Sequence, residues 1–184
     1  MRKLLSVAMI SAVLGTSAFA GGITYLGQKE KTLSIQAKHV DISDSGLDSG
    51  IVYGLSYVMH KDLGEPGAWG MRYGFEFNYG KMDFSDKSGD TTYTEFSWQI
   101  APTYTFNCGA RAYLGGKVGY VGFSDDLTSS SDSKNGYVLA GIAGAEYPVT
   151  KHIVVGAEAE VGSTYIDTDS YSTTTFGGYV GYKF

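Results

Sequence analysis

The sequence predicts an all-β protein, an eight-stranded up-and-down antiparallel transmembrane β-barrel. Three observations carry this expectation. Large apolar or aromatic side chains alternate with glycine and polar ones along extended runs, which is the period of a strand and not of a helix. Glycine and tyrosine abound, at 26 and 15 of 184 residues, against 3 prolines. The segments between the alternating runs switch in turn between tight turns and longer stretches rich in Asp and Ser.

Composition removes the competing classes. Glycine stands well above its usual ~7%, but with no Gly-X-Y period, which excludes collagen. Aromatics at 14% are too many for a disordered polar chain. After the first twenty residues no segment approaches the roughly 18 consecutive apolar residues of a membrane helix.

Residues 1–20 read as a cleaved signal peptide. Arg2 and Lys3 precede an apolar core from Leu4 to Phe19, and Ala18-Phe19-Ala20 has the A-x-A form of a cleavage site. The competing reading, an uncleaved anchor helix, suits the short core less well. The barrel domain is then residues 21–184. The 14 basic residues less Arg2 and Lys3, set against 19 acidic ones, leave the mature chain a net charge of −7. Such a chain lacks the basic face that nucleic acid requires, so no nucleic-acid partner is expected. Cys108 is the one cysteine, in the turn Asn107-Cys108-Gly109, so no internal disulfide is possible and an inert thiol is the expectation.

The strands follow in order. The first is placed at residues 32–40 and is the least regular, because 28–31 is polar and Lys38 adjoins His39. The second spans 50–60. The third, 69–80, puts Trp69, Met71, Tyr73, Phe75, Phe77 and Tyr79 on one face and Arg72, Glu76 and Asn78 among glycines on the other. The fourth, 93–106, sets Phe96, Trp98, Ile100, Tyr104 and Phe106 against Glu95, Ser97, Gln99, Thr103 and Thr105. The remaining four are placed at 110–123, 136–147, 153–166 and 174–184. Both faces of the sixth are small and apolar, which leaves its register open. Turns at 61–68, 107–109 and 148–152 mark one rim, and loops at 41–49, 83–92, 124–135 and 167–173 mark the other. An even number of strands connected in this way closes without an exposed edge.

Two closed barrels fit the alternation, a soluble one with its aromatics inside and a membrane one with them outside. The polar face decides. Arg72, Glu76, Glu95, Gln99, Arg111, Lys117, Glu158 and Glu160 are interleaved with glycines at 70, 74, 80, 115, 119, 156 and 162. A narrow lumen needs that alternation of small with large. Arg72, Arg111, Lys117 and Lys183 roughly balance Glu76, Glu95, Glu146, Glu158 and Glu160, so the expected lumen is a polar, salt-bridged plug. Tyr57, Trp69, Phe106, Tyr147 and Phe184 fall toward the turn rim, and Tyr79, Tyr120, Tyr165 and Phe176 toward the loop rim, as interfacial girdles would.

The last strand points to a family. Phe176, Gly178, Val180, Tyr182 and Phe184 alternate up to a terminal phenylalanine, and this ending resembles the assembly signal of bacterial outer-membrane proteins. The chain as a whole resembles the small OmpA/OmpX-like barrels, without a periplasmic domain. That resemblance implies a Gram-negative outer membrane reached through the general secretory pathway, escort by periplasmic chaperones and insertion by the barrel-assembly machinery. It also implies contact with outer-membrane lipid and lipopolysaccharide, and a monomer.

No motif of nucleophilic, metallopeptidase or nucleotide chemistry occurs, and His39, His60 and His152 fall on separate segments. No catalytic residue and no cofactor are expected. Eleven of the twelve aspartates lie in or beside the four long loops, opposed there only by Lys87 and Lys134. Turn preference and solubility account for this; the sharper alternative is a cation site shared with lipopolysaccharide phosphates, with Asp125 and Asp126 as ligands. The leading function is a structural one in envelope integrity. The alternatives are an adhesin or receptor acting through the loops, a narrow pore, and a lipid-modifying enzyme; the loops offer Tyr171 and no arginine as binding anchors.

Overall fold

In a computed structural model, described for residues 29–43, 47–62, 67, 69–83, 90–125 and 133–184, the chain forms one closed antiparallel barrel in sequence order. At positions 29, 62, 125 and 133 the backbone alone is described. The strands are β1 (Lys29–Ile42), β2 (Gly50–Asp62), β3 (Trp69–Asp83), β4 (Asp90–Thr105), β5 (Arg111–Asp125), β6 (Ser133–Pro148), β7 (Ile153–Ile166) and β8 (Asp169–Lys183). The proposed leader, residues 1–20, lies outside the described residues.

Pairing of β1 with β8, from Thr32 opposite Lys183 to Ile42 opposite Thr173, closes the cylinder. At the turn rim Phe184 N–H donates to the Lys31 carbonyl at 3.0 Å. Closure gives every strand a partner on both sides, as spanning hydrocarbon requires; the β4–β5 ladder is interrupted at Ala101 and Pro102, between the Ile100–Gly116 and Thr103–Tyr113 pairs.

The alternation is realised as expected from period two. Along β3 the even positions from Gly70 to Met82 are buried and the odd ones face out. Ile35, Leu114 and Val161 are 66%, 70% and 67% exposed on the outer wall, whereas Lys38, Glu76 and Gln99 inside are 2%, 1% and 1% exposed. The protein is therefore apolar outside and charged within.

The departures from the expected strand bounds gather at the loop rim. There β1 runs on to Ile42, β3 to Asp83 and β5 to Asp125, while β4, β6 and β8 begin early, at Asp90, Ser133 and Asp169. Asp, Ser and Thr in these stretches favour turns locally; a neighbouring strand supplies a ladder that overrides the preference. The loop expected at 167–173 is thereby replaced by a tight turn at Asp167 and Thr168, where Asp167 takes a left-handed φ of 54°. Aspartate tolerates that conformation better than most residues. At the opposite rim Gly109 (φ 83°) completes the three-residue turn that carries the exposed Cys108.

The open register of β6 is set by its last turn of sequence. Glu146 points inward opposite Arg111, and this places Val138, Ala140 and Ile142 inside as well.

Candidate functional site: the filled lumen

From the turn rim upward the interior is a continuous ionic network. Lys183 Nζ lies 3.1 Å from Glu30 Oε2, and Arg111 Nη1 lies 2.6 Å from Glu30 Oε1 and 3.2 Å from Glu146 Oε1. The Tyr179 hydroxyl donates to Glu146 at 2.9 Å, and His60 Nε2 is 3.4 Å from the same carboxylate. Glu30 therefore joins β1 to β5 and β8 across the seam of the cylinder.

At mid-height Arg72 donates to Gln99 and, at 3.2 Å, to Glu158, with its guanidinium carbon 4.1 Å from the centre of the Tyr113 ring. Tyr113 donates to Glu158 at 2.8 Å. Above these, Lys38 Nζ sits 2.6 Å from Glu76, 2.9 Å from Glu158 and 2.6 Å from Glu160. Lys117 pairs with Glu160 and, at 2.8 Å, with Glu95, whose other oxygen accepts from Tyr93. Gln36 and Asn78 extend the network to Glu76.

Glycine makes this density possible. A side chain at Gly177 would meet Lys38, one at Gly144 would meet Tyr113, and one at Gly156 would meet Tyr179. Lys38, Tyr113 and Tyr179 thus each lie over a glycine of an adjacent strand, the small-with-large fit of a narrow barrel.

The structure brings Arg72, Glu76, Glu95, Arg111, Lys117, Glu158 and Glu160 together inside the barrel. It also puts at the centre a residue that sequence reasoning missed. Lys38 adjoins His39 and blurs the pattern of the first strand, yet its period-two position, two residues from Gln36 and Val40, is the available signal. Glu30, His60 and Tyr113 were missed as well.

Glu76, Glu158 and Glu160 hold oxygens within 4.8 Å of one another, a spacing that suits a metal ion. The Lys38 ammonium fills the middle of that trio, so its charge is supplied by the protein. Of the loop pair suggested as a cation site, Asp126 and the side chain of Asp125 lie outside the described residues.

The expectation of a wholly polar plug needs correction. At the loop end the interior is mainly apolar: Val40, Ile42, Val52, Met82, Tyr93, Val121, Phe123 and Ile166 form a buried cluster with Leu47 and Tyr171 packed against it, beside the buried hydroxyls of Thr91, Thr164 and Thr173. The same inward rows that carry charge at mid-height carry these residues above it, since β3 passes from Glu76 to Met82 and β5 from Lys117 to Val121 and Phe123. An ionic body with an apolar cap results.

Aromatic rings band the outside. Trp69, Tyr104 and Phe106 form an edge-to-face chain near the turn rim, with centroids 5.3 and 5.0 Å apart. Tyr120, Tyr137 and Tyr165 stand opposite one another on β5, β6 and β7 toward the loop rim, the last two stacked at 4.6 Å. Phe176, placed toward the loop rim by sequence, lies midway along β8 opposite Ala159. Phe176, Val180, Tyr182 and Phe184 form one exposed outward row. His39 faces outward against Phe176 at 4.9 Å, and His152 lies on a turn against Tyr182 at 5.5 Å, so the histidines occupy three different environments.

Solved structures share this architecture. The chain is similar to Ail, the attachment invasion locus protein of Yersinia pestis, solved in complex with the heparin analogue sucrose octasulfate, at 21% identity and a TM-score of 0.59 over 85% of this chain and 99% of that one. It is similar to Neisserial surface protein A at 14% identity and 0.61, over 85% and 97%. It is also similar to OprG of Pseudomonas aeruginosa at 15% and 0.56, over 86% and 97%. No curated protein matches the chain. Residues 5–184 match the outer membrane protein beta-barrel domain, and with its eight-stranded closed barrel the chain belongs to that family of outer-membrane proteins.

Proposed function

We propose that the protein is a non-enzymatic structural component of the outer membrane, a sealed barrel that contributes to envelope integrity. One observation carries this reading: among the described residues the interior is occupied by the Glu30 to Glu95 ion network below and by the apolar cluster around Met82 and Phe123 above. Eight strands leave room for side chains and not for a water column. An apolar layer over interlocked charges opposes ion passage twice, because an ion must shed water in one and displace a paired charge in the other.

Export through the general secretory pathway, chaperone escort and insertion by the barrel-assembly machinery belong to the same reading, supported by the leader-like residues 1–20 and the outward Phe176, Val180, Tyr182, Phe184 row. Binding of a highly anionic polysaccharide through the loops fits poorly, because their sequence is crowded with aspartate and has no arginine.

Planar-bilayer recording tests the sealed state, and loss of the gene tests the role. The expected results are no stable conductance at neutral pH and a cell more sensitive to detergents and bile salts. Steady single-channel currents would identify a pore instead, and loss of host-cell attachment with detergent resistance intact would identify an adhesin.

A further inference from the structure

A groove of about 290 Å³ interrupts the outer wall of β4, β5 and β6 just below the loop rim. Its floor is Gly122, which stands opposite Thr94 on one side and Asn135 on the other. Above the floor Thr92 faces Ser124, and below it Phe96 faces Tyr120. These belong to the outward rows, since the alternating Tyr93, Glu95 and Val121 are buried inside. The groove therefore opens toward lipid, continuous with the apolar wall.

Its chemistry changes along its length. The lower end is two aromatic rings, suited to a hydrocarbon chain. The upper end presents the hydroxyls of Thr92, Thr94 and Ser124 and the amide of Asn135, groups that both donate and accept hydrogen bonds. Among the described residues no charged side chain lines it, so the group these residues recognise is neutral. The ester linkages of a diacyl phospholipid can only accept. The amide-linked 3-hydroxyacyl chain of an acylated glucosamine both donates and accepts, and it passes directly into hydrocarbon.

We propose that this groove binds one 3-hydroxyacyl chain of an acylated saccharolipid of the lipid A class, its linkage at Thr94, Ser124 and Asn135 and its hydrocarbon along Phe96 and Tyr120. Gly122 makes the site by leaving a gap one side chain deep. A Cβ there would meet only the Asn135 side-chain oxygen, at 3.2 Å, so a larger residue enters by shifting that side chain and fills the groove.

The test is native mass spectrometry of the purified barrel with monophosphoryl lipid A or dioleoyl phosphatidylethanolamine, comparing wild type with Gly122→Leu and Gly116→Leu. Gly116 is the control, an outward glycine lower on the same strand whose Cβ would have no neighbour closer than 3.8 Å. Folding of both variants is verified by faster gel migration before boiling. Lipid A affinity is expected to fall about tenfold in Gly122→Leu and to hold in Gly116→Leu, with phosphatidylethanolamine about tenfold weaker on wild type. Undiminished binding to Gly122→Leu, equal losses in both variants, or equal affinity for the two lipids would overturn the proposal.

Discussion

Lys38 on β1 and Glu158 on β7 are 120 residues apart in sequence and 2.9 Å apart in the lumen. The two strands are not neighbours, because β8 lies between them and contributes Gly177 at the point of crossing. Pairing of this kind ties the cylinder across its interior, in addition to the ladders that run round its wall.

Removing Lys38 leaves Glu76, Glu158 and Glu160 short of a counterion in a water-poor space. Lys38→Met is expected to cost ~3–5 kcal/mol, the range for a buried pair that loses one partner. Urea unfolding in lipid vesicles reads this as a lower midpoint. Adding Glu160→Gln should restore part of the loss, so the two changes couple and do not add. Additive losses would mean that the Lys38 contact with Glu160 contributes nothing.

Glycines on the two faces should respond differently. A Cβ on the inward Gly162 would run into the Leu139 carbonyl and lie 2.5 Å from the Ala140 Cα, whereas one on the outward Gly116 meets only the Ala140 carbonyl oxygen, at an ordinary 3.8 Å. Gly162→Ala should therefore destabilise by about 1–3 kcal/mol through overpacking. Gly116→Ala should be neutral or slightly stabilising, and thermal melts of the two variants distinguish them.

Much of this was legible in the sequence because a barrel of this kind enforces period two almost everywhere. β7 was placed at its observed bounds, and the charged rows of β3, β4, β5 and β7 were grouped on one face by alternation and assigned to the inside by their interleaved glycines and their balance of charge. What escaped has physical reasons. Lys38 is followed by His39 and Asp41, polar residues on the outward row, so hydropathy there no longer separates the faces; the space for its stem is supplied by Gly177, from the far end of the chain. The extended strands at the loop rim were hidden by turn-forming residues whose conformation is decided by the next strand. The apolar cap was available to a stricter reading, since period two carried past Glu76 reaches Met82 on the same row.

The cap stabilises as well as seals. Met82 is 1% exposed among Val52, Tyr93 and Phe123, so Met82→Ala should cost about 2–5 kcal/mol as a core truncation. Bilayer recordings of this variant should stay silent, because the ionic body beneath still fills the cross-section. Current through it would assign the whole barrier to the cap.

Cys108 offers a native probe of direction. It is exposed in the turn between β4 and β5, at the rim away from the aspartate-rich loops. A membrane-impermeant maleimide should leave it unmodified on intact cells and modify it once the outer membrane is opened. Labelling of intact cells would invert the orientation assumed for the loops.

The central claim is that apolar rows meet hydrocarbon while charges are sealed inside, and a lipid-soluble diazirine photolysed in vesicles carrying the wild-type barrel tests it most directly. Peptide mapping should find adducts at Ile35, Phe77 and Val161 and none at Glu76 or Glu160, although carboxylates trap such reagents readily. Adducts on the two glutamates, with Phe77 and Val161 spared, would contradict the account.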